Sequence, residues 1–155
     1  LTSLGSKVRL KMPSEHRIQP ALQQFFLRIL LGDVAAPSVL YIGLLTSLPS
    51  ERDEISLERL STWEPDGIAG YARQGVEKRL WSFMLDPIRA ETEGVWFRNA
   101  AGVNWPQIRG AFLATSVDNS GILVGWNVLE DATGRAVGRL LLPGDTLNVP
   151  FVLGF

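Results

Sequence analysis

The sequence predicts a mainly β fold: an antiparallel β-sandwich of jelly-roll type with one N-terminal α-helix and an extended N-terminal arm. Three observations predict it. The second half of the chain is a series of short apolar runs with no helical segment between them. Turn sequences separate those runs, among them Asp118-Asn119-Ser120-Gly121, Asp131-Ala132-Thr133-Gly134 and Pro143-Gly144-Asp145. Sustained helical spacing occurs once, from Ile18 to Leu31.

Residues 1–16 read as the arm, with short polar and apolar residues leading to Pro13 and Ser14. The helix is expected over 17–31, where Ile18, Leu22, Phe25, Phe26, Ile29 and Leu30 form one stripe. Pro20 fits only its first turn, where no intrahelical donor is needed, and Gly32-Asp33 is a plausible stop. Leu27 and Leu31 widen the stripe, which suggests either burial on two faces, by a sheet and a neighbouring subunit, or a single wide core contact. Ser38 to Thr46 is a continuous apolar run, expected as a central strand covered on both faces. Residues 47–69 form a long connection in which Ile55 to Leu60 has the pattern of a short helical turn. Loops of that length in small domains usually make contacts. Strand character is expected from Ala69 to Met84, then at Val95–Phe97, Gly102–Trp105, Ala111–Val117, Ile122–Leu129, Val137–Leu142 and Leu147–Leu153. The body, 17–155, is one domain.

At 155 residues, with 46% apolar and 20% charged residues, the chain can bury a core without metal or disulfide. Its mean hydropathy of +0.11 suggests that other subunits cover part of its surface. No apolar run approaches the roughly 18–20 residues that a membrane span requires, and no apolar core follows the first basic residues at signal-peptide spacing. Cysteine is absent, which excludes disulfides, thiolate metal sites and cysteine nucleophiles. Net charge is −1, which gives no global case for nucleic acid. The charge is uneven: residues 1–17 hold Lys7, Arg9, Lys11 and Arg17 against Glu15, a basic arm on an acidic body.

No catalytic constellation emerges. His16 is the only histidine and lies in the arm, whereas a nucleophile–histidine–acid triad needs a histidine held inside a packed site. Zinc would need several nitrogen or sulfur ligands. The carboxylates at 51–66 and 86–93 sit among arginines in loops, so solvated charge is their default reading. Gly67-Ile68-Ala69-Gly70 lacks the third glycine of a dinucleotide fingerprint, and no phosphate-binding GxxxxGK[ST] is present. Of five tryptophans, Trp81, Trp96, Trp105 and Trp126 fall in expected strands. Trp63, beside Pro65 in the long loop, is the one expected to be exposed, as an interface anchor or a sugar contact.

The order of motifs resembles a family of phage virion proteins of small β-sandwich type, described as tail-fibre-like or head-decoration proteins. The resemblance rests on the apolar helix, the strand Leu40-Tyr41-Ile42-Gly43-Leu44-Leu45-Thr46-Ser47 followed closely by proline, and the block Gly70-Tyr71-Ala72-Arg73-Gln74. It continues in Asn99-Ala100-Ala101-Gly102-Val103-Asn104-Trp105-Pro106 and Gly144-Asp145-Thr146, so it covers roughly residues 18–153. The long loop, the arm and residues 85–93 depart from the pattern. Read physically, Tyr71 can bury its ring and tie a neighbouring loop through its hydroxyl. Arg73, two residues on, can pair with a carboxylate of the acidic loop, and Asp145 can bond its own turn.

The resemblance implies a non-enzymatic structural protein, in its leading version a capsid decoration (cement) protein. It would be homotrimeric, bound to the major capsid protein or other virion proteins, and assembled into the virion in the host cytoplasm. The alternative is a tail- or neck-fibre module that recognises a host surface glycan. No cofactor, metal, membrane or direct nucleic-acid partner is expected. The candidate protein contacts are Lys7, Arg9 and Lys11 in the arm, with Arg52 and Trp63 in the loop.

Overall fold

A computed structural model describes residues 3–4, 6–11, 20–50, 55–85 and 88–154. The chain is mainly β, and its ladders are mostly antiparallel. In order the elements are β1 (Ser3–Leu4), β2 (Val8–Lys11), α1 (Pro20–Leu30), β3 (Val39–Leu45), α2 (Leu57–Ser61), β4 (Gln74–Glu77) and β5 (Trp81–Leu85). They continue with β6 (Ile88–Thr92), β7 (Val95–Arg98), β8 (Gly110–Ala114), β9 (Leu123–Val128), β10 (Thr146–Val149) and β11 (Phe151–Gly154).

Helix α1 starts at Pro20, whose missing N–H costs nothing in a first turn. It ends in a Schellman motif: Gly32 takes φ 75°, its N–H donates to the Ile29 carbonyl at 3.1 Å, and the Asp33 N–H donates to Arg28 at 2.8 Å. Helix α2 is the short helical turn expected inside the long connection. The Ser56 hydroxyl caps it by accepting from the Arg59 N–H at 3.1 Å.

The strands form three sheets, ordered β4-β3-β8-β9, β2-β11-β6-β5 and β1-β10-β7. β3 is central, as its apolar run predicts. Ile42 and Leu44 point into the larger core cluster, with Ala111 and Leu113 of β8 beside them. Leu45, Phe112 and Ala114 point the other way, into a second cluster closed by Ile55, Leu57 and Leu60 at α2. The ring of Phe112 lies so close to Gly43 that a Cβ there would collide with it.

The other two sheets follow one another along the same stretches of chain. The expected strand Leu147–Leu153 is divided at Pro150, which has no N–H to continue a ladder, so β10 enters one sheet and β11 the other. Gly94, at φ 95°, makes the matching break between β6 and β7. All three sheets contribute to the main core, through residues such as Ile42, Phe97, Leu147 and Phe151.

Four expectations change. Residues 8–11 are not an arm apart from the body: β2 pairs in parallel with β11, and Val8 is fully buried in the main core. β1 likewise pairs in parallel with β10, so the sheets are not purely antiparallel. Gly102–Trp105 and Val137–Leu142 are not strands. Their backbone groups are taken irregularly: Trp105 N–H donates to Leu141 at 3.0 Å, Val137 N–H donates to Leu129 at 2.9 Å, and Arg139 exchanges bonds with Ile108. Ala69 to Met84 is interrupted as well. Residues 69–73 are loop, and a 3₁₀ turn over Lys78–Leu80 separates β4 from β5.

The sheet edges are treated unequally. β2 runs beside β9, where Lys7 and Glu130 exchange backbone bonds of 3.0 Å and the Asn127 amide donates to the Arg9 carbonyl at 2.7 Å. β4 packs against β7. β5 ends its sheet, with β6 on one side and, among the described residues, no strand on the other.

Candidate interaction surface

The Gly-Tyr-Ala-Arg-Gln block builds the best-defined polar cluster of the molecule. Gly70, at φ 92°, turns the chain where its Cα lies against the backbone of Arg98 and Ala100. The Tyr71 ring then stacks on Phe97, with centroids 6.0 Å apart, and meets Trp105 edge-on at 6.2 Å. Its hydroxyl accepts from the Leu44 N–H at 3.1 Å and donates to Glu64 Oε2. Arg73 reaches the same carboxylate, Nη2 to Oε1 at 2.5 Å, and both side chains are almost fully buried.

The guanidinium is otherwise satisfied. It donates to the Asp118 carbonyl at 2.5 Å and to Asn119 Oδ1 at 2.7 Å, and it lies 5.0 Å above the Phe112 ring. Asn119 passes the contact on to the Ser61 hydroxyl at 3.0 Å. Burial pushes the Tyr71 phenol well above its ordinary value, and the Glu64 carboxylate adds to the rise. The Glu64 carboxylate thus holds the Tyr-Ala-Arg block, Arg73 carries the tie to the β8–β9 turn, and Asn119 carries it on to α2. Tyr71 and Arg73 both engage Glu64 as donors in closed, buried bonds, which is the geometry of a structural tie.

Asn99 is a second buried hub. Its amide donates to the Val103 and Leu141 carbonyls, both at 2.9 Å, and its Oδ1 accepts from the Ala101 N–H at 2.9 Å. Its backbone bonds to Gly144 and Asp145, and Asp145 Oδ2 accepts from the Leu142 N–H at 3.0 Å. The Asn-x-Ala and Gly-Asp-Thr motifs are therefore two halves of one turn assembly.

The surface is most unusual around α1. Among the described residues of its apolar stripe, Leu22 alone is buried; Phe25 and Ile29 are half-buried, and Phe26, Leu27, Leu30 and Leu31 are exposed. Between the helix and the sheets lies a cavity of about 270 Å³ lined by Phe25, Ile29, Leu40, Trp81, Phe83 and Leu153, among others. The β5–β6 hairpin extends this apolar surface outward: Phe83 is 80% exposed, Leu85 88% and Ile88 59%. Residues 81, 83 and 85 share one face of the strand, so Trp81 is the buried root of a row whose outer members face water. Exposed apolar groups gathered in this way mark contact surfaces.

The sequence-predicted contacts lie elsewhere. Lys7 and Arg9 sit at the β2–β9 seam, and Arg9 Nε pairs with Glu130 Oε2 at 3.3 Å. Lys11 ends β2 opposite Gly154. Arg52 lies outside the described residues, as does His16. Trp63 is half-buried against the second core cluster, with the Arg59 guanidinium 5.7 Å from its ring, and its carbonyl accepts from both Thr46 N–H and Oγ1 at 2.9 Å. The exposed tryptophan is instead Trp96, which alternates with buried Phe97 on β7. Among the described residues, the candidates on β2 and Trp63 at the second core cluster belong to different parts of the fold. The signal for the apolar face was present in the all-round apolarity at the end of α1 and in the uncharged strand Trp-Ser-Phe-Met-Leu.

Among the described residues no group of three or more His, Asp or Glu side chains converges as a metal site, and no helix is long and apolar enough to cross a membrane. Compared with known proteins, the chain matches no family model, and no curated sequence is significantly similar to it.

Proposed function

We propose that the chain is a non-enzymatic structural protein of a phage virion, a capsid decoration protein that bridges and stabilises shell subunits. The observation that carries this reading is the apolar surface of α1 and the β5–β6 hairpin, which presents large side chains outward, while the buried Arg73–Glu64 pair is closed within the body. A protein built to be covered by neighbours has this distribution, and the order of motifs over residues 18–153 supports the virion setting. The architecture is read as a β-sandwich, with the β4-β3-β8-β9 sheet as one layer and the two bent sheets as the other. Binding at seams of the intact shell, and not to loose subunits, would stabilise the particle by mass action. Partners in this reading are further copies of the chain and the major capsid protein.

Exposed Trp96 supports a second reading, a tail- or neck-fibre module with an aromatic platform for a host glycan. Quantitative mass spectrometry of purified virions separates the two. A fixed ratio to the major capsid protein, in hundreds of copies, is the expected result. A few dozen copies or fewer would overturn the decoration reading and make glycan binding the next assay.

A further inference from the structure

Strand β5 differs from the other sheet edges. β2 has β9 beside it, β4 has β7, and β1 is two residues long. β5 is five residues long, pairs with β6 in unbroken register from Trp81↔Thr92 to Leu85↔Ile88, and among the described residues has no strand on its other side. Edge strands are usually protected by charge, proline, a bulge or a cover. Trp81-Ser82-Phe83-Met84-Leu85 has no charged residue and no proline, its ladder has no bulge, and Phe83 and Leu85 stand exposed on it. The outward backbone groups of such an edge call for another strand.

We propose that this strand is a second copy of β5, joined antiparallel about a two-fold axis through Phe83, so that two four-stranded sheets become one of eight. Symmetry restricts the register. A two-fold axis perpendicular to a sheet keeps each face on its own side, so opposed residues must have equal parity in the strand. Centring on Phe83 satisfies this and overlaps all five residues: Phe83 faces Phe83 of the other copy, Trp81 faces Leu85, and Ser82 faces Met84. The apolar row of each copy continues into the other, which places both α1 grooves on one face of the joined sheet.

Charge does not oppose this arrangement: Trp81–Leu85 carries no charged residue, and Arg79 before it is already paired with Glu77 at 2.6 Å. A bare strand that carries no charge of its own meets no repulsion from its twin. This contact is two-fold, unlike the trimer that the resemblance implies, and it stands whether or not the protein belongs to a virion.

The chain lacks cysteine, so Phe83→Cys creates a single thiol at the axis. Directly opposed residues of an antiparallel pair lie about 4.5–5.5 Å apart at Cα, within the usual disulfide range of about 4.4–6.8 Å. Under mild oxidation, Phe83→Cys is expected to convert to covalent dimer many-fold faster than an Ala132→Cys control on an exposed turn. By sedimentation analysis the unmodified chain is expected to be dimeric at micromolar concentration. Phe83→Lys and Phe83→Glu should each dissociate at least tenfold more readily, and mixing those two variants should restore dimer, with circular dichroism confirming that both are folded. A monomeric unmodified chain, a trimer, equal cross-linking at both cysteine positions, or dimers untouched by Phe83→Lys would each overturn the proposal.

Discussion

Replacing Glu64 by glutamine keeps the shape of the buried tie and removes its charge. Arg73, with its side chain 5% exposed, then holds an uncompensated guanidinium against Phe112. Breaking one partner of a buried ion pair costs about 3–5 kcal/mol. In a domain of this size each kcal/mol lowers Tm by about 2–4 °C, so Glu64→Gln is expected to lower Tm by about 6–20 °C. The bonds that Arg73 keeps to Asp118 and Asn119 favour the lower part of that range. Calorimetry and urea unfolding followed by tryptophan fluorescence provide the measurement. Because Arg73→Met removes the stranded charge, the Glu64→Gln/Arg73→Met double variant should be less damaged than the sum of its singles, with coupling of about 0.5–3 kcal/mol. A Tm loss below about 2 °C for Glu64→Gln would refute the assignment of the tie as a buried, structure-holding pair.

The buried phenol makes stability depend on alkaline pH. Tyr71 keeps its proton in the folded state well above its ordinary value of 10.0, so its contribution is complete below pH 10 and declines as pH rises and the unfolded chain ionises. The expected slope is about 1.4 kcal/mol per pH unit above pH 10, and urea midpoints for Tyr71→Phe should lack that component. Asn99→Ala strands the Val103 carbonyl and the Ala101 N–H and leaves the Leu141 carbonyl with the Trp105 N–H alone, and should cost roughly 2–4 kcal/mol in urea unfolding. Gly43→Ala forces a methyl into the Phe112 ring, which Arg73 holds from another side, and should cost about 1–3 kcal/mol by the same assay.

Much of the local structure was legible because it is written in short-range chemistry. Pro20 and Gly32 bound the helix, the Asp118–Gly121 turn closes β8 onto β9, and the paired tyrosine and arginine of 71 and 73 announce a tie to an acidic loop. Which carboxylate they meet was not legible. Glu64 competes with Glu51, Asp53 and Glu54 in sequence, and α2 decides by bringing the end of its own loop beneath Arg73. The role of residues 8–11 was hidden for another reason: their partner strand lies at the far end of the chain, and no local pattern encodes such a pairing. Trp63 was misplaced because loop membership suggests exposure, while the apolar residues of α2 supply it with a core of its own.

The parallel pairing of β2 with β11 has a temporal consequence. Val8 faces Phe151, 143 residues later, so nothing emerging early from the ribosome can supply its neighbour. At roughly 5–20 residues per second, about 7–29 s of synthesis separate the two strands. For that interval Val8–Lys11 wait without their ladder partner, while β3, β8 and β9 can already pair. Closure of the β2–β11 ladder is therefore a late, stitching event, set by the arrival of Phe151–Gly154 and slowed by the length of loop that must be drawn shut.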